Sequence, residues 1–442
     1  MTEKIMVVTL GCEKNLVDSE IMSGLIHQKG YIIAENKEDA TVIIVNTCGF
    51  IDAAKEESVN TILDMADLKR TANLKALIVS GCLTQRYKEE LMKEMPEIDG
   101  IVGTGDFHNI NDIVEEALAG KKPVMVGNPV FNYEQALPRR SLGPRYTAYV
   151  KIAEGCDNAC TFCSIPIMRG KFRSRSMESV IREVTELASQ GVKEISLIAQ
   201  DSTNYGTDLY DSFMLPTLMN KVTDVPGIEW VRLHYAYPGF FTDELIETIA
   251  ANPKICKYVD MPLQHSEDRI LKRMNRPGRQ RDSRELILKI RARIPNVSLR
   301  TSIIVGFPGE TEEDFDNLVT FVREMEFDRL GVFAYSQEQD TPAARLPDQL
   351  DEDVKEFRAN TLMEIQREIS KTRNGNRIGQ DLDILIERYD GRNDVYIGRS
   401  QYDAPEVDGE VFVTSSTATI GSMTRVRITH SFEYDLSGEG IA

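Results

Sequence analysis

The 442-residue chain has only five histidines and seven cysteines. It has no apolar run near the roughly 18 residues that a membrane-spanning helix needs. That absence excludes a helix buried in a bilayer, and the scarcity of histidine argues against mixed Cys/His zinc sites. Positive charge is also short: 52 Lys and Arg face 70 Asp and Glu, a net charge of −18. Such a chain repels a nucleic-acid backbone at long range and attracts basic partners. No basic, then apolar, leader opens the sequence; Met1-Thr2-Glu3-Lys4-Ile5 runs directly into a strand-like segment. The expectation is a cytoplasmic protein, in a compartment where thiols stay reduced. Seven cysteines there point to metal or catalysis rather than disulfides, and the odd number agrees. With 41% hydrophobic and 28% charged residues, the composition is that of a soluble globular protein. Its length suits about three domains.

What the chain does have is concentrated in Gly155-Cys156-Asp157-Asn158-Ala159-Cys160-Thr161-Phe162-Cys163. Cys156, Cys160 and Cys163 follow a C-x3-C-x2-C spacing, tight enough for one loop to wrap one object. Three soft thiolates on a short loop suit an iron–sulfur cluster. In a cubane of four irons, three ligands leave one iron open to bind a small molecule. A zinc site would need a second cysteine pair or histidines further on. The next cysteine is the isolated Cys256, which reads as a strand or core residue.

Residues 1–120 alternate strand and helix. Strands are expected at Ile5–Leu10, Thr41–Val45, Ala76–Ser80 and Gly100–Val102, with helical patterns at Leu16–Gln28, Ala53–Leu68, Tyr87–Met95 and Ile110–Ala119. This alternation predicts a parallel α/β sheet with right-handed crossovers. Cys12, Cys48 and Cys82 each follow a strand, some 35 residues apart. The carboxyl ends of parallel strands share one edge, where open α/β folds bind ligands. The three cysteines should therefore converge into a second three-thiolate cluster site.

Residues 121–148, with Pro123, Pro129, Pro138, Gly143 and Pro144, read as a linker. From Tyr149 the alternation restarts, with strands at Tyr149–Ala153, Glu194–Ala199, Trp230–His234, Lys257–Met261, Leu299–Val305 and Arg329–Phe333. Six strand–helix units over 149–372 predict a partial (β/α)6 TIM-like barrel, whose chemistry belongs at the carboxyl ends of its strands. Polar residues mark those ends: Gln200-Asp201 ends the second strand, Arg232 and His234 flank the end of the third, Gln264-His265 follows the fourth and the turn Gly306–Glu310 follows the fifth. His265 reads as a structural hydrogen-bonding residue. The basic stretch Arg269–Arg300, with Lys272, Arg273, Arg276, Arg279, Arg281, Arg291 and Arg293, reads as a solvated helical face. The charged helix Val354–Thr372 is expected outside the barrel. From Asn374 the period becomes two, with Gly379, Gly391, Gly398, Gly409 and Gly421 as punctuation. Residues 374–442 thus predict a small antiparallel β-barrel. It carries 12 Asp/Glu and 6 Arg/Lys, near −6 by itself.

C-x3-C-x2-C after the first strand of a partial barrel resembles the radical S-adenosylmethionine enzymes. The three-cysteine amino-terminal domain and a carboxyl-terminal barrel like the TRAM domain narrow the resemblance to the methylthiotransferases, over essentially the whole chain. The motifs are Gly11-Cys12-Glu13-Lys14-Asn15-Leu16-Val17-Asp18-Ser19-Glu20, Asn46-Thr47-Cys48-Gly49-Phe50, Gly81-Cys82-Leu83 and Met261-Pro262-Leu263-Gln264-His265. Lys14, Val17-Asp18-Ser19 and Ala404-Pro405-Glu406-Val407-Asp408-Gly409 are similar to the branch acting on ribosomal protein S-twelve. One local departure is Gln339-Asp340, where relatives commonly have an acidic residue and glycine. It bears on loop geometry, not on the cluster sites.

The resemblance implies two 4Fe-4S clusters and S-adenosylmethionine as cofactors. Cys156, Cys160 and Cys163 would hold the cluster that binds S-adenosylmethionine and, with one electron from a flavodoxin-like donor, generates a 5′-deoxyadenosyl radical. Cys12, Cys48 and Cys82 would hold the cluster presenting the methylthio group. Gln200 is the leading candidate to contact S-adenosylmethionine, with Arg232 and the Gly306–Glu310 turn as weaker ones. The implied reaction is methylthiolation of the β-carbon of an aspartate on ribosomal protein S-twelve. The alternatives are a transfer-RNA methylthiotransferase acting on a modified adenosine beside the anticodon, and a non-catalytic iron–sulfur or zinc scaffold. An acidic terminal barrel suits a basic ribosomal protein better than an anionic tRNA stem.

Overall fold

The structure, a computed structural model, describes residues 3–276 and 280–441. Met1, Thr2, Arg279 and the side chain of Arg281 lie outside the described residues. Six parallel strands form the amino-terminal sheet, in the order Ile32–Ile33, Lys4–Thr9, Val42–Thr47, Ala76–Gly81, Gly100–Val102 and Val124–Met125. The two central strands, Val42–Thr47 and Ala76–Gly81, are buried at every position. Their apolar runs Val42–Val45 and Ala76–Val79 follow from cover on both faces. Val17, Ile21 and Met22 of the Glu13–Gln28 helix and Ile113 of the Ile110–Leu118 helix fill one face. Ile62 and Met65 of Asp52–Ala66 and Leu83 and Leu91 of Cys82–Glu94 fill the other.

Two strands go beyond the sequence expectation. Ile32–Ile33 is too short to carry a period, and Val124–Met125 extends the sheet into the stretch read as a linker. That stretch is also pinned: Tyr133 is buried, and Arg139 bonds Glu20 and Glu183.

The central domain is an arc of six parallel strands in chain order. Thr147–Lys151, Glu194–Ile198 and Trp230–Leu233 form one sheet; Tyr258–Asp260, Ser298–Val305 and Arg329–Ala334 form the other. A parallel bridge between Val231 and Ile255 joins them, and the Cys256 backbone N–H donates to Val231 O at 3.0 Å. The charged helix, Glu352–Gly375, packs against Arg329–Ala334. Its buried stripe is largely polar: Lys355, Arg358, Leu362, Gln366, Ser370 and Asn374. Gln366 Nε2 donates to Phe327 O at 2.8 Å.

The terminal barrel is closed, in the order Asp381–Asp390, Val395–Ser400, Val411–Thr414, Leu436–Gly440, Met423–Ser431. It is antiparallel except for one pair: Val411–Thr414 runs parallel to Leu436–Gly440. It docks on the central arc through a buried ion pair, with Arg399 Nη2 2.6 Å from the Glu194 carboxylate, and through Arg232 of the arc, which donates to Gln401 O at 2.9 Å.

Candidate active site between two cysteine trios

The strands preceding Cys12, Cys48 and Cys82 are adjacent in the sheet, with Thr9 paired to Asn46 and Thr47 to Gly81. Neighbouring strands lie about 4.8 Å apart, so the three loops leave the sheet within about 10 Å of one another. Asn15 ties them together: its Nδ2 donates to Leu10 O at 2.8 Å and to Thr47 O at 3.0 Å. Asn46 Nδ2 donates back to Asn15 O at 2.8 Å. Gly11, at φ +86, allows Cys48 to approach, since a Cβ there would stand 2.8 Å from Cys48 Cβ. The Cys82 sulfur lies 3.9 Å from Asn15 Oδ1. Burial pushes the Cys48 thiol up to about 12, and the charges of Cys82 and Cys12 add to the rise. Burial also raises Cys82, with the Arg169 guanidinium opposing it. Thiols buried this close, where the charge of one raises the cost of ionising its neighbour, need a cation to become thiolates together.

The second trio lies on the loop that leaves Ala153–Glu154. Cys156 and Cys160 are buried and Cys163 is half-buried. Gly155, at φ +81, lets the loop pass so close to Lys171 that a Cβ would strike its carbonyl oxygen at 2.1 Å. Asn158 Nδ2 donates to Asp201 Oδ2 at 2.7 Å, which anchors the loop to the end of the neighbouring strand. Arg276 Nη1 stands 3.7 Å from Cys160 Sγ, and its guanidinium lies over the Tyr237 ring at 4.5 Å. Burial raises Cys156 to about 11 and Cys163 to about 12. Among the described residues no three His, Cys, Asp or Glu side chains could together hold a metal ion. A cubane spreads its cysteines over separate irons, so its ligands stand farther apart than those of a single ion.

A buried polar junction connects the two trios. Lys151 Nζ contacts Asp18 Oδ1 at 2.6 Å, Glu154 Oε2 at 2.8 Å and Tyr133 OH at 2.6 Å. Arg169 contacts Asp18 Oδ2 at 2.8 Å, Glu154 Oε2 at 3.4 Å and Asn15 Oδ1 at 2.5 Å. Burial works against the Glu154 carboxylate, but Lys151, Arg169 and a hydrogen bond from Gln200 outweigh it and hold it well below the usual range. Beside this junction, Glu13 Oε2 accepts from Tyr235 OH at 2.8 Å, and Lys14 Nζ lies over the Tyr235 ring, 2.9 Å from its centroid.

Of the residues expected at the barrel mouth, Gln200 Nε2 donates to Glu154 Oε1 at 2.5 Å, while its Oε1 is buried without a hydrogen-bond partner among the described residues. Arg232 is spent elsewhere: it pairs with Glu194 and donates to Gln401 O and Ser400 O of the terminal barrel. The Gly306–Glu310 turn is closed on itself, since Glu310 accepts from the Gly306 N–H, pairs with Arg358 and contacts His265 Nε2 at 3.2 Å. His265 is therefore a buried structural partner. Arg276 does not belong to a solvated face, because the cluster loop claims it. Other members of that stretch do pair at the surface, as Arg293 does with Asp243 and Glu247. Asp340 takes φ +69, a glycine-like backbone, and the preceding Glu338 bonds Lys55 and Arg86 of the amino-terminal domain, each at 2.8 Å. Cys256 is buried beside Trp230 and Tyr258, and burial raises it to about 11.

Sequence reasoning passed over the parts of Asn15, Arg169, Glu154 and Arg276. Asn15, Glu154 and Arg169 carry a local signal, lying three residues after Cys12, two before Cys156 and six after Cys163.

Three family models match in succession: Uncharacterized protein family UPF0004 over residues 4–103, the Radical SAM superfamily over 150–322 and the TRAM domain over 378–441. The superfamily match brings an iron–sulfur cluster and S-adenosylmethionine with it. The fold is similar to that of the radical S-adenosylmethionine methyltransferase TsrM from Kitasatospora setae. That likeness has a TM-score of 0.56 at 15% identity and covers 78% of this chain and 77% of that one. Full-length relatives are nearer in sequence, and each is named ribosomal protein uS12 methylthiotransferase RimO. That of Desulforamulus reducens is 50% identical, covering 98% of each chain. That of Geobacter sulfurreducens is 49% identical, covering 100% of this chain and 99% of that one. That of Clostridioides difficile is 51% identical, covering 99% and 98%. This chain belongs to the ribosomal protein uS12 methylthiotransferase family of radical S-adenosylmethionine enzymes.

Proposed function

We propose that this chain transfers a methylthio group to the β-carbon of an aspartate of ribosomal protein uS12. In this reading Cys156, Cys160 and Cys163 hold one 4Fe-4S cluster, and Cys12, Cys48 and Cys82 hold a second. When bound, the cofactors supply a radical that takes hydrogen from an unactivated carbon and the sulfur group that replaces it. The chain supplies position and shelter. Asn158 and Asp201 fix the cluster loop, Asn15 holds the three amino-terminal loops to one another, and the Lys151–Asp18–Arg169–Glu154 junction fixes one trio against the other. The unpaired Gln200 Oε1 is the acceptor we assign to S-adenosylmethionine.

We take residues 1–120 as the sulfur-donating unit, 149–372 as the radical unit and 374–442 as the terminal unit, with 121–148 between the first two. The electron comes from a flavodoxin-like donor in the cytoplasm. The net −6 of the terminal barrel supports a basic protein substrate over tRNA. The observation that carries the reading is the placement of Cys12, Cys48 and Cys82 at the ends of three adjacent strands, bonded through Asn15 and Arg169 to the cluster-loop domain. Anaerobic reconstitution tests it. The wild type should bind about eight irons, a Cys12/Cys48/Cys82→Ala variant about four, and only the wild type should add a methylthio group to a uS12 peptide. Equal iron in the two proteins would overturn the second cluster.

A further inference from the structure

We propose that Lys14 is the residue that recognises the carboxylate of the substrate aspartate, and so selects an acidic side chain over a neutral one. This inference rests on the reading of the enzyme given above. Lys14 is buried, with 8% of its side chain exposed. Among the described residues its ammonium has no hydrogen-bond acceptor, and its ion-pair partner, Glu13, stands 4.0 Å away with its carboxylate bonded to Tyr235 OH. Lys151, fully enclosed, shows how this protein treats a cation meant for structure: its three donors meet Asp18, Glu154 and Tyr133. Lys14 has instead the face of the Tyr235 ring, a contact that leaves its N–H groups without an acceptor, and a largely enclosed charge held in that way is placed to receive an anion.

The location suits that role. Lys14 follows Cys12 by two residues on the first turn of the Glu13–Gln28 helix. Its Nζ lies over Tyr235, which leaves the carboxyl end of the Trp230–Leu233 strand at φ +60. The ammonium thus stands between the sulfur-donating trio and the mouth of the barrel. A carbon receiving the methylthio group must come to that same place. In an aspartate the β-carbon carries the carboxylate directly, so an ammonium there would hold the reacting carbon by its neighbouring charge. An adenosine offers no such anion, and Lys14 would then repay nothing.

The test uses the full-length reconstituted protein and two labelled uS12 loop peptides, one with the target aspartate and one with asparagine in its place. Binding is read by fluorescence anisotropy, and KM and kcat for methylthio transfer are measured separately. The wild type should prefer the aspartate peptide by about 10- to 100-fold, the range of a charge-assisted hydrogen bond. Lys14→Gln should bring that ratio close to one while retaining both clusters by iron count, and Lys14→Arg should keep most of it. A Lys14→Gln protein that weakens both peptides alike, with the ratio intact, overturns the proposal. So does a wild-type ratio near one, a measurement that needs no variant to fold. A wild type that binds the aspartate peptide selectively but transfers nothing to it would sink the enzyme reading and leave the recognition standing.

Discussion

Replacing Arg169 by methionine tests the junction between the two trios most directly. Arg169 is 3% exposed, and with Lys151 it balances two buried carboxylates, Asp18 and Glu154. Arg169→Met keeps most of the apolar stem and leaves two carboxylates sharing one ammonium. Breaking a buried pair on one side costs about 3–5 kcal/mol, because the stranded charge has no water to turn to. The same change frees Asn15 Oδ1, so the loops of Cys12, Cys48 and Cys82 lose a brace as well. Urea unfolding followed by circular dichroism should show the stability loss, and reconstitution should show iron falling from about eight toward about four. Adding Asp18→Asn restores the balance of one carboxylate to one ammonium. The double variant should then be at least about 1 kcal/mol more stable than Arg169→Met alone, a coupling of the size that contacting residues show. If Arg169→Met stays within about 1 kcal/mol of the wild type, or the double variant is the weaker, the junction does not hold the domains as argued.

At the other end of the barrel, Glu194 gives a pH signature. Burial acts to raise its carboxyl, but Arg399 and Arg232 prevail and bring it from 4.5 to about 2. A lowered carboxyl stabilises fully above the unfolded value and loses that contribution as pH falls from about 4.5 toward 2, roughly 3 kcal/mol in all. Trp230, packed with Leu385 and Ala404 at the barrel contact, should report terminal-barrel release by fluorescence over that window. A profile unchanged in Glu194→Gln would refute the assignment. Cys256→Ala should leave the iron count at about eight, since that thiol sits beside Arg232 and not in either trio. A loss of iron would make Cys256 a ligand.

The parts of the candidate site legible in the sequence are those with a local rule behind them. Cys156, Cys160 and Cys163 declare themselves by spacing. Cys12, Cys48 and Cys82 declare themselves by topology, because each follows a strand and parallel strands end on one edge. The pairs that join these trios have no such rule. Asp18 meets Lys151 across 133 positions, Asn15 meets Arg169 across 154, and Glu13 meets Tyr235 across 222. Arg232 shows the complementary failure. Alternation along a strand says that it points inward, but not toward which end of the barrel its long side chain reaches, and it reaches the terminal barrel.

What the unreadable pairs do is also what the reaction most needs. Apolar burial would hold the two domains together without fixing their register, since it is non-directional. Hydrogen-bonded ion pairs carry geometry as well as energy. In the proposed reaction, a group donated from one domain to a carbon activated on the other would require placement within about 0.5 Å. The Lys151–Asp18–Arg169–Glu154 junction, continued into Asn15 on one side and Gln200 on the other, meets that requirement with directional contacts at every step.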